Sequence, residues 1–66
     1  MKLSPFDVVF LNEDMPDLGL TKGQQGVILD VYHSPLQAYE VEFCDKEGKT
    51  LLCLALSPDK LSQDFI

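Results

Sequence analysis

The segment Tyr39-Glu40-Val41-Glu42-Phe43 alternates apolar residues with glutamate at every step. A period of two belongs to an extended strand with one dry and one wet face, whereas a helix would scatter these side chains around its circumference. Tyr39, Val41 and Phe43 are therefore predicted to enter a core, and Glu40 and Glu42 to face water. Elsewhere the apolar pattern breaks about every ten residues, at clusters of Gly, Pro, Asn and Asp, a spacing that predicts a small all-β sandwich or barrel.

Five strands follow from this pattern. The first is Phe6 to Leu11, β-branched and aromatic, and it runs into the acidic loop Asn12 to Leu20. That loop is long enough to carry a turn of its own. Gly23 and Gly26 precede the run Val27 to Tyr32, where glycine permits a tight turn and a close backbone approach as the strand begins. Ser34-Pro35 breaks the chain before the third strand, Tyr39 to Phe43. Cys44 to Lys49 is a hairpin loop with Gly48 as its left-handed residue. Thr50 to Leu56 is the return strand. One short helical turn is predicted at Ser57-Pro58-Asp59-Lys60, with Ser57 as its N-cap, and Leu61 to Ile66 is the closing strand.

Gly23-Gln24-Gln25-Gly26-Val27-Ile28-Leu29-Asp30-Val31-Tyr32, followed by the alternating strand and a glycine-containing hairpin, resembles the core of an SH3-like barrel of the kind found in KOW domains. Phe6-Asp7-Val8-Val9, Leu18-Gly19-Leu20, Lys22-Gly23, Gly26-Val27-Ile28, Ala38 to Phe43, Gly48-Lys49-Thr50 and Leu61 occur in an order similar to that of a small bacterial family catalogued as domain of unknown function number 4926. The resemblance spans roughly residues 5 to 63. It implies a small SH3-like five-stranded barrel. It also implies a role beside small toxin-like genes, as an antitoxin or immunity protein, and no catalytic residue. Cys53 and Ala55 depart from the larger aliphatics expected in the return strand.

At 66 residues the chain is read as one domain over residues 1–66, because a protein this small buries only about 60% of the surface its unfolded chain exposes. Two cysteines are too few for a disulfide framework, no signal-peptide pattern opens the sequence, and the longest apolar run, Leu51 to Leu56, falls far short of the roughly 20 residues that cross a bilayer. A cytoplasmic location is expected. Catalysis is not: the only candidate nucleophile and base pairs are Cys44 or Cys53 with His33, a histidine read as an exposed loop residue. Cys53 is read as a buried small hydrophobe, and Cys44 as partly exposed. One His and two Cys lack zinc spacing, and Glu13, Asp14 and Asp17 lack the calcium-loop pattern. No cofactor is expected.

Charge carries the functional reading. Eleven acidic residues against five lysines give 5 − 11 = −6, and arginine is absent. Such a chain repels a polyanion and lacks the bidentate reader of guanine and phosphate, so nucleic acid is disfavoured as a partner. A local patch from Lys46, Lys49 and Lys60 is the exception to be tested. Glu40 and Glu42 on one strand face, with Asp45 and Glu47 in the hairpin, form a negative stripe suited to steering a basic protein; the same residues also serve solubility and protect an edge. In Leu51 to Leu56 both faces are apolar. The set Leu52, Leu54 and Leu56 is therefore a candidate interface, extended by Phe65 and Ile66, for a partner or for a second copy of the chain; burial inside a bent barrel is the structural alternative. The expected function is a protein-binding module that inhibits a small basic partner. The alternatives are a KOW-like nucleic-acid or ribonucleoprotein accessory domain and a structural subunit of a larger complex.

Overall fold

The computed structural model describes residues 3–63 and is all-β. Strands β1 (Val8–Leu11), β2 (Gln25–Tyr32), β3 (Ala38–Cys44), β4 (Thr50–Leu56) and β5 (Leu61–Ser62) form a single antiparallel sheet in the order β4-β3-β2-β1-β5. Among the described residues the sheet is open: β4 and β5 stand at opposite edges, with no ladder between them to close it. A single turn of 3-10 helix lies at Pro58–Lys60, where the helical turn was predicted, and another at Pro16–Leu18, inside the acidic loop expected to carry a turn of its own. Ser57 stands at the N-cap of the first of these without capping it through its side chain.

The alternation in β3 works as expected. Tyr39, Val41 and Phe43 are fully buried, and with Leu3, Val9, Leu11, Leu20, Ile28, Leu56 and Leu61 they form the core. The Tyr39 hydroxyl, buried with its ring, accepts a hydrogen bond from Gln37 Nε2 at 3.0 Å, so its polar end is satisfied.

Strand β1 starts two residues later than the aromatic pattern suggests. Phe6 has φ of 72° and is 79% exposed. A turn causes this: the Ser4 amide donates to Asp7 Oδ2 and the Asp7 amide donates back to the Ser4 carbonyl, which swings Phe6 out of the strand while its amide still reaches the Ile28 carbonyl. At the other end the last strand is shorter than Leu61 to Ile66. It covers Leu61–Ser62, and Phe65 and Ile66 lie outside the described residues. Asn12 ties this end to β1 by donating from Nδ2 to the carbonyls of Asp59 and Leu61, and Lys60 Nζ meets Glu13 Oε1 at 3.0 Å.

Gly26 leaves no room for a side chain between β2 and β3. It is buried opposite Phe43, and a Cβ there would lie 2.7 Å from Val41 Cγ1 and 3.0 Å from Phe43 Cδ1. That contact explains why the residue entering this strand has no side chain.

Candidate functional site: an acidic sheet face beside an open edge

Residues directly opposite one another on antiparallel strands project to the same face, so the register defines the outer surface of the sheet. One row across β2, β3 and β4 reads Asp30, Glu40, Ala55. The next, starting from β1, reads Val8, Val27, Glu42, Cys53. Three carboxylates thus share this face, and two of them, Asp30 and Glu40, are a cross-strand pair of like charge. Like charges directly opposite one another destabilise a sheet. Asp30 reaches this face because the ladder slips between Ile28 and Asp30, leaving Leu29 as the extra residue.

The glutamates are held in place. Tyr32 OH donates to Glu40 Oε1 at 3.1 Å, and Thr50 Oγ1 donates to Glu42 Oε2 at 2.8 Å. The first bond pushes the Tyr32 phenol above its ordinary range, with partial desolvation and the charges of Glu40 and Asp30 adding to it. In the hairpin, Asp45 Oδ1 is occupied by its own loop, accepting from the amides of Glu47 and Lys49 at 2.9 Å each. Glu47 is exposed at the loop tip.

In β4 the phase of the apolar run is fixed by pairing. Tyr39, Val41 and Phe43 stand opposite Leu56, Leu54 and Leu52, which puts these three leucines on the core side: Leu56 is buried, and Leu52 and Leu54 pack half-buried against the core. Cys53 and Ala55 turn outward opposite Glu42 and Glu40, and Leu51, the extra residue where the register slips, is exposed. Cys53 is therefore exposed, contrary to its reading as a core residue, because its partner in the ladder is the outward Glu42. Partial desolvation against the sheet pushes its thiol up, and the carboxylates of Glu42 and Glu40 push it further. The thiolate is the reactive species, so Cys53 is expected to alkylate with iodoacetamide at pH 8 more slowly than free glutathione. Glu42→Gln should quicken the reaction, as followed by mass spectrometry.

Between the Gly23 turn and the hairpin lies a cleft of about 640 Å³, lined by residues that include Lys22, Gly23, Gln24, Cys44, Asp45 and Lys46. Gly23, at φ of 89°, makes the turn, and Gln24 Nε2 donates across it to the Cys44 carbonyl at 2.8 Å. Of the lysines expected to form a basic patch, Lys60 is taken up by Glu13, while Lys46 and Lys49 are exposed on the hairpin. His33 is exposed in the β2–β3 loop, away from both cysteines in the sequence of the ladder. Among the described residues no helix is long and apolar enough to cross a membrane, and no cluster of three His, Cys, Asp or Glu is placed to hold a metal ion.

Fold and surface together define a small all-β domain built on one open antiparallel sheet, with an acidic outer face. The chain belongs to the family described as Domain of unknown function (DUF4926), whose model matches residues 5–63. No curated protein and no solved structure matches it.

Proposed function

We propose that this protein is a cytoplasmic binding module that inhibits a small basic protein, in the manner of an antitoxin or immunity protein, by covering its cationic site with the outer face of the sheet. The observation that carries this reading is the cross-strand pair of Asp30 and Glu40, with Glu42 beside it. Plain solubility is served by scattered charge; a like-charged pair held in register costs stability and concentrates a field, which is what a docking face for cations requires. A partner that normally engages phosphate would meet carboxylates in its place. The antiparallel strand order supports an SH3-like frame for the module, here with the sheet left open among the described residues.

Reversing the charge at Glu40 and Glu42 to lysine should slow association by about tenfold or more and flatten its dependence on salt, since steering of this kind can raise on-rates by 10 to 1,000-fold. Stopped-flow association with the partner captured from source cells at low salt, and lost at high salt, is the measurement. Unchanged rates would remove the charge argument.

The cleft between the Gly23 turn and the hairpin favours a second reading, a nucleic-acid or ribonucleoprotein accessory role, because Lys22 and Lys46 both line it. Mobility shifts that weaken steeply with salt and disappear on replacing both lysines would favour it.

A further inference from the structure

We propose that the open edge of β4 is a strand-addition site, and that its occupant is an extended segment of the basic partner in which lysine or arginine alternates with aliphatic residues. This rests on the reading of the protein as a module for a basic protein, and it names the way the two chains join.

Among the described residues β4 pairs on one side only, with β3. The backbone groups that alternate toward its other side are a template for a further strand. Proteins usually guard such an edge with charge, proline or a very short strand. Thr50–Leu56 has seven residues with no charge and no proline, and its one bulge, where Leu51 is the extra residue, lies near its start and leaves Leu52 to Leu56 in regular register. On the inner side Leu52 and Leu54 are only half covered by the core, so aliphatic residues of an added strand would complete their burial. On the outer side the ladder puts the small residues Cys53 and Ala55 between the edge and the two glutamates, opposite Glu42 and Glu40 respectively. An added strand would lie about 10 Å from β3, two strand spacings away. A lysine or arginine side chain on it can stretch over Cys53 or Ala55 to a carboxylate that Thr50 or Tyr32 already orients. Strand addition draws affinity from the backbone and specificity from alternate side chains; here the alternation demanded is basic outside, aliphatic inside.

The test is titration of the ¹⁵N-labelled full chain with a nine-residue peptide alternating lysine and valine, read by chemical shifts and amide exchange. The expected result is slowed exchange at alternate amides of Thr50–Leu56, binding that weakens with salt, and no binding by a peptide alternating glutamate and valine. N-methylation of the peptide amides that face the edge should weaken binding at least about tenfold, the loss expected from one or more backbone hydrogen bonds. Cys53→Lys, at an exposed position and checked for native circular dichroism, should weaken it as well by placing a guard charge on the edge. Equal binding by the methylated peptide, or shifts confined to the hairpin, would overturn the proposal in favour of loose charge attraction. Concentration-dependent protection of β4 amides in the free chain, with a dimer in sedimentation, would give the edge to a second copy and overturn it too. A captured basic protein that leaves β4 exchange unchanged would keep the binding-module reading and discard the edge. If the peptide pairs with β4 while no basic protein can be captured, the edge stands and the inhibitor reading falls.

Discussion

Truncating Phe43 to alanine is expected to remove a large share of the stability of the fold. Its ring is fully buried at the centre of the sheet, between Gly26 on β2 and Leu52 on β4. Removing a buried phenylalanine costs about 3–5 kcal/mol, since the lost transfer energy is joined by the cost of the cavity. A domain of this size has a total stability of roughly 3–10 kcal/mol at the usual value per residue. Urea denaturation followed by circular dichroism would show the midpoint lowered in proportion to that loss, down to no folded baseline if the parent lies at the low end of the range. Phe43→Leu, which keeps most of the volume, should retain a cooperative transition. A Phe43→Ala protein as stable as the parent would mean that the core is centred elsewhere.

The second large effect is expected at Gly26. Adding one methyl group there forces Val41 and Phe43 aside, and the Glu42 carbonyl, 3.1 Å from the new atom, belongs to backbone that cannot easily give way. Overpacking of this kind costs about 1–3 kcal/mol, equivalent to a fall in Tm of roughly 5–20 °C for a domain of this size. Combining Gly26→Ala with Val41→Ala should be less harmful than the sum of the two, because the second change removes the atom of closest contact. Calorimetry on the four proteins of this cycle measures the coupling; strict additivity would mean that the close approach is relieved by backbone movement instead.

How far the fold could be read in advance depended on whether a segment states its own phase. Tyr39 to Phe43 does, and its core residues and its two outward glutamates followed directly. Leu51 to Leu56 does not: with both faces apolar, only the pairing of Leu52 with Phe43 decides which side is buried. The slips in register at Ile28/Asp30 and Phe43/Cys44 were equally invisible, because a bulge is fixed by the partner strand and has no residue signature of its own here. That hid Asp30, the third member of the acidic face, at the end of an apolar run. Its one available signal was a carboxylate interrupting Val27 to Tyr32 where a buried strand would carry none. Phe6 misled in the opposite way, since an aromatic beside Val8 and Val9 reads as strand while the turn at Ser4 and Asp7 bends it out. The glutamates of the site were legible, but the hydroxyls of Tyr32 and Thr50 that orient them lie across the ladder, eight residues away in each case.

The strand order has a consequence for the sequence of events in folding. Strands β2, β3 and β4 form a meander whose neighbours are joined by short loops, so the chain closes little entropy-costly loop in making them. The pairing of β1 with β5 joins Leu11 to Leu61, a separation of 61 − 11 = 50 residues, through only two register pairs. Of the four ladders among the described residues it spans the most chain and has the fewest register pairs, so the β1–β5 seam is expected to close last and open first. The three carboxylates of the acidic face and the β4 edge lie within the meander. The surface assigned to recognition can therefore persist while the far seam breathes, and a partner held there would need no help from the chain's closing strand.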